Sequence, residues 1–150
     1  MDLILWRHAD AEAGAPDLDR RLTAKGIKQA ERVAAWLDKQ LPDSCRVLVS
    51  PAERAQQTAV PLKRKYKVVP ELGPGAAADA ILAAAGWPDA GEPVLIVGHQ
   101  PTLGEVAALL VSGEASPWSI RKGALWWLSN RVRDGDASVV VKVVIGPDFV

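Results

Sequence analysis

The sequence predicts a three-layer α/β/α sandwich with a mostly parallel central sheet and a C-terminal antiparallel hairpin. Three observations carry that expectation. Short continuous apolar runs recur along the chain, the pattern of strands buried on both faces. Stretches with helical apolar spacing lie between them, so strands alternate with helices and the sheet is mainly parallel. The last third instead holds two strand-like runs separated by a polar turn, which reads as a hairpin.

The first run is Leu3-Ile4-Leu5-Trp6, followed by a polar loop containing Gly14 and Pro16. Thr23 reads as a helix N-cap, and Ala30, Val33, Ala34, Leu37 and Leu41 fall on one face before Pro42. Arg46-Val47-Leu48-Val49 is the second buried strand. Ser50-Pro51 then reads as an N-cap with proline at the first helical position, opening a helix to about Lys65. Lys67-Val68-Val69 is a short strand cut off by Pro70. After a loop to Gly75, an alanine-rich helix spans residues 76–85 and stops at Gly86 and Pro88. Val94-Leu95-Ile96-Val97 is the clearest central strand, and Gly98-His99-Gln100 makes its turn. Pro101 starts a helix with Leu103, Val106, Ala107 and Leu110 facing inward. Residues 124–128 and 138–145 flank the turn Arg133-Asp134-Gly135-Asp136 and form the hairpin. No repeat or linker interrupts this order, so residues 1–150 are expected to be a single domain.

Composition narrows the function. The chain has 150 residues with 18 basic and 18 acidic side chains, which excludes a protein held on nucleic acid or anionic membrane by bulk charge. The zero hides an asymmetry: residues 1–67 hold thirteen Lys/Arg against nine Asp/Glu, and residues 68–150 hold five against nine. One cysteine excludes an internal disulfide framework and suits a reducing compartment. The N-terminal run lacks a signal-peptide pattern and no stretch approaches the ~20 apolar residues of a membrane span. A cytoplasmic location, with no membrane and no nucleic-acid partner, is the expectation.

Both histidines follow a buried-strand run: His8 after the first, His99 after the central one. Ser50 and Arg54 follow a third. In open α/β sheets the ligand crevice lies outside the carboxyl ends of the strands, so Arg7, His8, Arg54 and His99 are expected on one rim. Arginine forks, imidazoles and nearby helix starts suit a dianionic phosphoryl group. Taken singly, each residue has a plainer reading: a hydrogen-bonded loop histidine, or an Arg54 paired with Glu53 or Asp10. Only Asp10 and Glu12 lie close to His8, and no His-x₃-His or Cys-x₂-Cys spacing exists, so no metal is expected. The stretch 73–78 matches a dinucleotide-loop pattern in letters alone, because Pro74 removes a needed donor. Lys63-Arg64-Lys65 reads as solvated cations at a helix C-terminus. Cys45 reads as an inert small residue.

These same residues resemble a known family. Arg7-His8-Ala9 is similar to the Arg-His-Gly signature of the histidine phosphatase superfamily, with its phosphoglycerate mutase-like fold. Residues 50–58, Ser50-Pro51-Ala52-Glu53-Arg54-Ala55-Gln56-Gln57-Thr58, resemble its Ser-Pro-x-x-Arg-Ala-x-Gln-Thr segment. Gly98-His99-Gln100-Pro101 looks like its second-histidine segment. Asp19-Arg20-Arg21-Leu22-Thr23-Ala24-Lys25-Gly26 resembles Arg-Pro-Leu-Thr-x-x-Gly and points to the SixA-like phosphohistidine phosphatase branch.

The resemblance implies a phosphatase in which His8 is the transiently phosphorylated nucleophile. It implies phosphoryl contacts from Arg7, Arg54, His99 and Arg20, with Arg21 the rival for the fourth place. No cofactor is implied, and the substrate would be a phosphorylated histidine on a protein, such as a phosphorelay domain. Ala9 departs from the family glycine. Relatives that hydrolyse phosphate esters use a carboxylic acid on the leaving group; Glu71 is the candidate here, with Asp79, Asp10 and Asp19 also considered, and none has a matching spacing. Imidazole leaves more readily than an alkoxide, so a missing acid favours a P–N substrate. Two other readings stand beside this one: a small-molecule ester phosphatase or mutase, and a non-catalytic phosphate-binding adaptor.

Overall fold

The computed structural model describes residues 1–150. Six strands form one sheet: β1 (Asp2–Arg7), β2 (Arg46–Val49), β3 (Lys67–Val68), β4 (Val94–Gly98), β5 (Leu125–Arg133) and β6 (Asp136–Ile145). Their spatial order is β3-β2-β4-β1-β5-β6. The pairs β3–β2, β2–β4 and β4–β1 are parallel, whereas β1–β5 and β5–β6 are antiparallel. Four α-helices connect them: α1 (Ala24–Gln40), α2 (Glu53–Ala59), α3 (Ala78–Ala85) and α4 (Thr102–Ser112). None is long and apolar enough to cross a membrane.

The continuous apolar runs are explained by a core on each side of the sheet. Ile4, Trp6, Val47, Val49, Leu95 and Val97 pack with Val33, Ala34 and Leu37 of α1 and Ala55 and Ala59 of α2. Their alternates Leu3, Leu5, Leu48, Val94 and Ile96 pack with Ile81 of α3 and Leu103, Val106 and Ala107 of α4. Side chains alternate across a strand with period two, so a strand covered on both faces must be apolar at every position. The turn between β5 and β6 has Asp134 at φ 50° and Gly135 at φ 84°. Two consecutive positive φ values match the twist of a two-residue hairpin.

Several boundaries differ from the sequence expectation: α3 starts at Ala78 and not at residue 76, and the hairpin strands extend to Arg133 and from Asp136. The helix after Ser50-Pro51 starts at Glu53, and its α-helical part stops at Ala59, with a 3-10 turn over Val60–Leu62. Lys63 ends that turn as its C-cap in a left-handed conformation, and residues 64–65 lie beyond it. Arg64 instead caps α1: it donates to the carbonyls of Asp38, Leu41 and Pro42 and pairs with the Asp38 carboxylate at 2.9 Å. Those are carbonyls left without an intrahelical partner, and a cation there suits the dipole.

The entry to α1 also fixes the loop after β1. Thr23 Oγ1 accepts from the Gly26 amide at 3.0 Å, an N-cap, and donates to Asp10 Oδ2 at 2.7 Å. The Thr23 amide donates to the Asp10 carbonyl. This brings the helix so close that a Cβ on Gly26 would run into the Asp10 carbonyl oxygen. Because the obstacle is backbone, the loop or helix must move. Gly26→Ala is therefore expected to lower stability by about 2 kcal/mol, read from urea denaturation midpoints. Gly91→Ala is the control, since a Cβ there meets nothing within 4 Å, and should change stability by less than about 0.5 kcal/mol. Equal midpoints for the two variants would contradict this packing.

Candidate active site

Strand register carries the sequence-distant residues to one rim. In the β1–β4 pair Arg7 lies opposite Gly98, and in the β2–β4 pair Val49 lies opposite Val97. The next residues, His8, His99 and Ser50, therefore leave the sheet at the same level. The His8 amide donates to the Gly98 carbonyl and the Ser50 amide to the Val97 carbonyl, each at 3.0 Å. The two imidazole centroids are 5.1 Å apart and tilted by 56°. Arg7, His8, Arg20, Arg54 and His99 line one depression of about 210 Å³, together with Ala11, Pro74, Gln100 and Lys122.

Arg54 is 3% exposed. Its Nη1 donates to the Asp17 carbonyl at 2.8 Å and its Nη2 to Asp17 Oδ2 at 3.2 Å, but its buried Nε has no partner in the protein. Arg7 shows the same pattern: Nη1 donates to the Ile120 carbonyl at 2.8 Å, and a buried Nε is left unpaired. Leaving a buried donor unsatisfied typically costs about 1–3 kcal/mol, more for a charged group. Two such donors in one depression mark a place built for an acceptor, and an anion with several oxygens satisfies both.

The histidine tautomers follow from their partners. His8 Nδ1 lies 2.8 Å from the Ala9 carbonyl, which only accepts, so Nδ1 carries the proton and Nε2 keeps its lone pair. Burial pushes the His8 pKa down to about 4; the Ala9 carbonyl opposes this, and the charges of Arg54, Arg7 and Arg20 reinforce it. His99 Nε2 lies 2.7 Å from Ser50 Oγ, which already accepts from the Ala52 amide. Ser50 is fully buried, so its hydroxyl donates to the lone pair of His99 Nε2, leaving Nδ1–H as the His99 donor. Burial, then His8 and Arg54, lower the His99 pKa to about 3. Both rings are neutral at pH 7.

The structure separates the rival residues. Arg20 lines the depression, held by Asp17 Oδ1 at 3.0 Å and the Glu12 carbonyl, whereas Arg21 is exposed and outside it. Arg54 pairs with Asp17 rather than with Glu53 or Asp10. Desolvation raises the Asp17 pKa, yet hydrogen bonds from Arg20 and Arg54 hold it below the usual carboxylate value. Ser50 serves the His99 ring instead of capping a helix. Glu71 lies elsewhere: it faces a separate depression with Arg46 and Lys67, because the turn at Pro70–Leu72 sits at the β3 edge of the sheet. Asp10 is tied to Lys122 at 3.0 Å and to Thr23. Every ionisable residue lining the site is thus a base: three arginines, a lysine and two imidazoles.

Sequence reasoning missed Lys122, Asp17 and Thr58. Thr58 Oγ1 accepts from the Ala9 amide at 3.0 Å and donates to the Arg54 carbonyl at 2.7 Å, tying the two signature segments together. Lys122 arrives because β5 runs antiparallel to β1, so the loop before β5 must sit beside the end of β1. Gly123 at φ 75° turns that loop, its amide donating to the His8 carbonyl and its carbonyl accepting from Trp6 Nε1 at 2.9 Å. The Arg-Lys-Gly triplet before the hairpin was the available signal, but it needed the strand order to be read.

The sequence pattern of the histidine phosphatase superfamily (branch 1) matches residues 3–76. The phosphohistidine phosphatase SixA of Escherichia coli (strain K12) is 34% identical over 126 residues, covering 78% of each chain. The chain belongs to the histidine phosphatase superfamily. A SixA homologue from Haemophilus influenzae is 35% identical over 135 residues, covering 79% of this chain and 82% of the relative. Among solved structures, that of the protein histidine phosphatase SixA complexed with tungstate superimposes with a TM-score of 0.76 at 27% identity, covering 99% of both chains.

As a histidine phosphatase, the chain keeps two buried imidazoles uncharged, and this makes its stability pH-dependent. Between about pH 4 and pH 6.5 the unfolded chain binds a proton on His8 that the folded chain does not, and His99 behaves alike down to about pH 3. Stability therefore rises with pH through this window, on the order of 3 kcal/mol for each histidine, and flattens above it. The depressed carboxylates Asp2, Asp10 and Asp17 act below about pH 3.8, the ordinary carboxylate value, so their effect is separable. Chemical denaturation across pH 4–8 should show this rise, roughly halved in slope in His8→Gln. A flat profile would mean that the rings titrate normally in the folded protein.

Proposed function

We propose that this chain is a phosphohistidine phosphatase that removes phosphate from a protein histidine through a covalent intermediate on His8 Nε2. The observation that carries the reading is the pair of buried, unpaired Arg7 and Arg54 Nε–H donors beside a neutral imidazole whose Nε2 is free. SixA of Escherichia coli and its Haemophilus homologue are phosphohistidine phosphatases by name, and their similarity supports the same substrate class here.

In the first step the His8 Nε2 lone pair attacks phosphorus and the P–N bond to the substrate histidine breaks. That ring takes a solvent proton on its far nitrogen and leaves as neutral imidazole. His8 then carries phosphoryl on Nε2 and a proton on Nδ1, a cationic ring that the Ala9 carbonyl stabilises. In the second step water attacks phosphorus, the Nε2–P bond breaks, and the electron pair returns to Nε2. The water proton goes to solvent and inorganic phosphate is released. Arg7, Arg20, Arg54 and His99 Nδ1–H hold the phosphoryl oxygens throughout. Fixed cations aimed at a phosphoryl group stabilise a loose transition state by charge alone.

No carboxylic acid lines the depression to protonate an alkoxide. An imidazole leaving group protonated by solvent does not require one, which favours P–N over P–O substrates. The segment between β3 and β4 forms α3, which packs against α4, and only Pro74 from it reaches the depression. The site is thus left uncapped for a phosphoryl group borne on a protein.

Phosphate release from a phosphohistidine peptide should far exceed release from a phosphoserine peptide. It should vanish in His8→Ala, fall about 100-fold in Arg54→Lys, and be unchanged by chelator. Faster ester turnover would overturn the substrate, retained activity in His8→Ala the nucleophile, and chelator sensitivity the metal-free mechanism.

A further inference from the structure

Beside the catalytic depression lies a larger groove of about 850 Å³, and the two share Arg7 and Lys122 in their walls. The groove runs from the N-terminal turn of α1 across the loop before β5 to the end of β6 and the residues after it. One wall is basic: Lys25 from α1 and Arg121 from the loop. Neither makes an ion pair, whereas Lys122 already neutralises Asp10. Asp148 is the one unpaired carboxylate in the lining. Lys25 and Gln29 sit one helical turn apart on the groove face, and Arg32 continues the same stripe of α1. The lining also carries an apolar wall of side chains, with Trp126 half-buried, Val144 53% exposed and Phe149 82% exposed.

A phosphohistidine seated against Arg7 and His8 must have its own polypeptide leave the depression. The groove that shares Arg7 and Lys122 with it is a continuous path for that chain. Its surplus of unpaired cations complements acidic side chains, and its apolar wall suits a hydrophobic side chain on the same segment. We propose that this groove docks the polypeptide flanking the phosphohistidine and selects an acidic segment carrying an apolar anchor. The proposal rests on the phosphohistidine phosphatase reading and adds the recognition that reading lacks. Lys25, Arg121 and Phe149 lie outside the catalytic depression, so their effect is on binding of the flanks and not on the chemical step.

The test uses four probes with the full chain: free phosphohistidine, and phosphohistidine peptides whose flanks are acidic, neutral or basic, each holding one leucine. In the wild type, kcat/KM for the acidic peptide should exceed that for the basic one by about tenfold or more, through KM, and the gap should shrink at high salt. Lys25→Glu with Arg121→Glu should abolish or invert this preference, and Phe149→Ser should raise KM for every peptide. All variants should turn over free phosphohistidine within about twofold of the wild type, which also shows that they fold. Turnover with no flank preference, or a preference that survives charge reversal, overturns the docking proposal alone. Failure to turn over any phosphohistidine probe overturns the catalytic reading, and the docking with it.

Discussion

Two guanidiniums, those of Arg7 and Arg54, stand at the end of the central strands with a buried Nε–H each that no protein atom accepts. Their surroundings are organised to hold them despite that cost. Asp17 engages Arg54 through both its carbonyl and its carboxylate and anchors Arg20 with the other oxygen. The Ile120 carbonyl takes one Arg7 nitrogen, and the loop supplying it is fastened to β1 through Gly123 and the buried Trp6. Thr58 links the Ala9 amide to the carbonyl of Arg54 itself. Burial, reinforced by these cations, keeps the imidazoles between them uncharged, which is the state a nitrogen nucleophile requires.

Much of this was legible in the sequence because it depends on local pattern. Leu3 to Trp6, and the runs at residues 47–49 and 94–97, are apolar at every position because both sheet faces are covered. Parallel strands place their following residues on one rim, which is why His8, Arg54 and His99 were expected together from position alone. The Thr23 cap and the residue 133–136 turn were readable for the same reason: each rests on side-chain chemistry within a few residues.

What escaped depends on contacts between distant segments. Asp17 is 37 residues from Arg54 in sequence, and nothing near either marks the pair. Glu53 is adjacent to Arg54 in sequence yet makes no ion pair with it. Lys122 reaches the site only because β5 pairs antiparallel with β1, a matter of strand order. Glu71 looked available as an acid until the edge position of β3 placed it in another depression. Net charge was silent for the same reason: equal numbers of acids and bases coexist with a depression of about 210 Å³ whose ionisable groups are all bases. Charge matters here by placement, through short distances and low solvent access, and not by total.

The most direct test of the account is the chemistry of the trapped intermediate. The protein is mixed with a phosphohistidine peptide and quenched rapidly into alkali, where phosphohistidine survives. Peptide mapping then locates the phosphoryl group, and ³¹P NMR assigns its ring nitrogen. The account predicts phosphate on His8, bonded to Nε2, because Nδ1–H is committed to the Ala9 carbonyl. Phosphate on His8 Nδ1, on His99, or on no residue at all during turnover would contradict it.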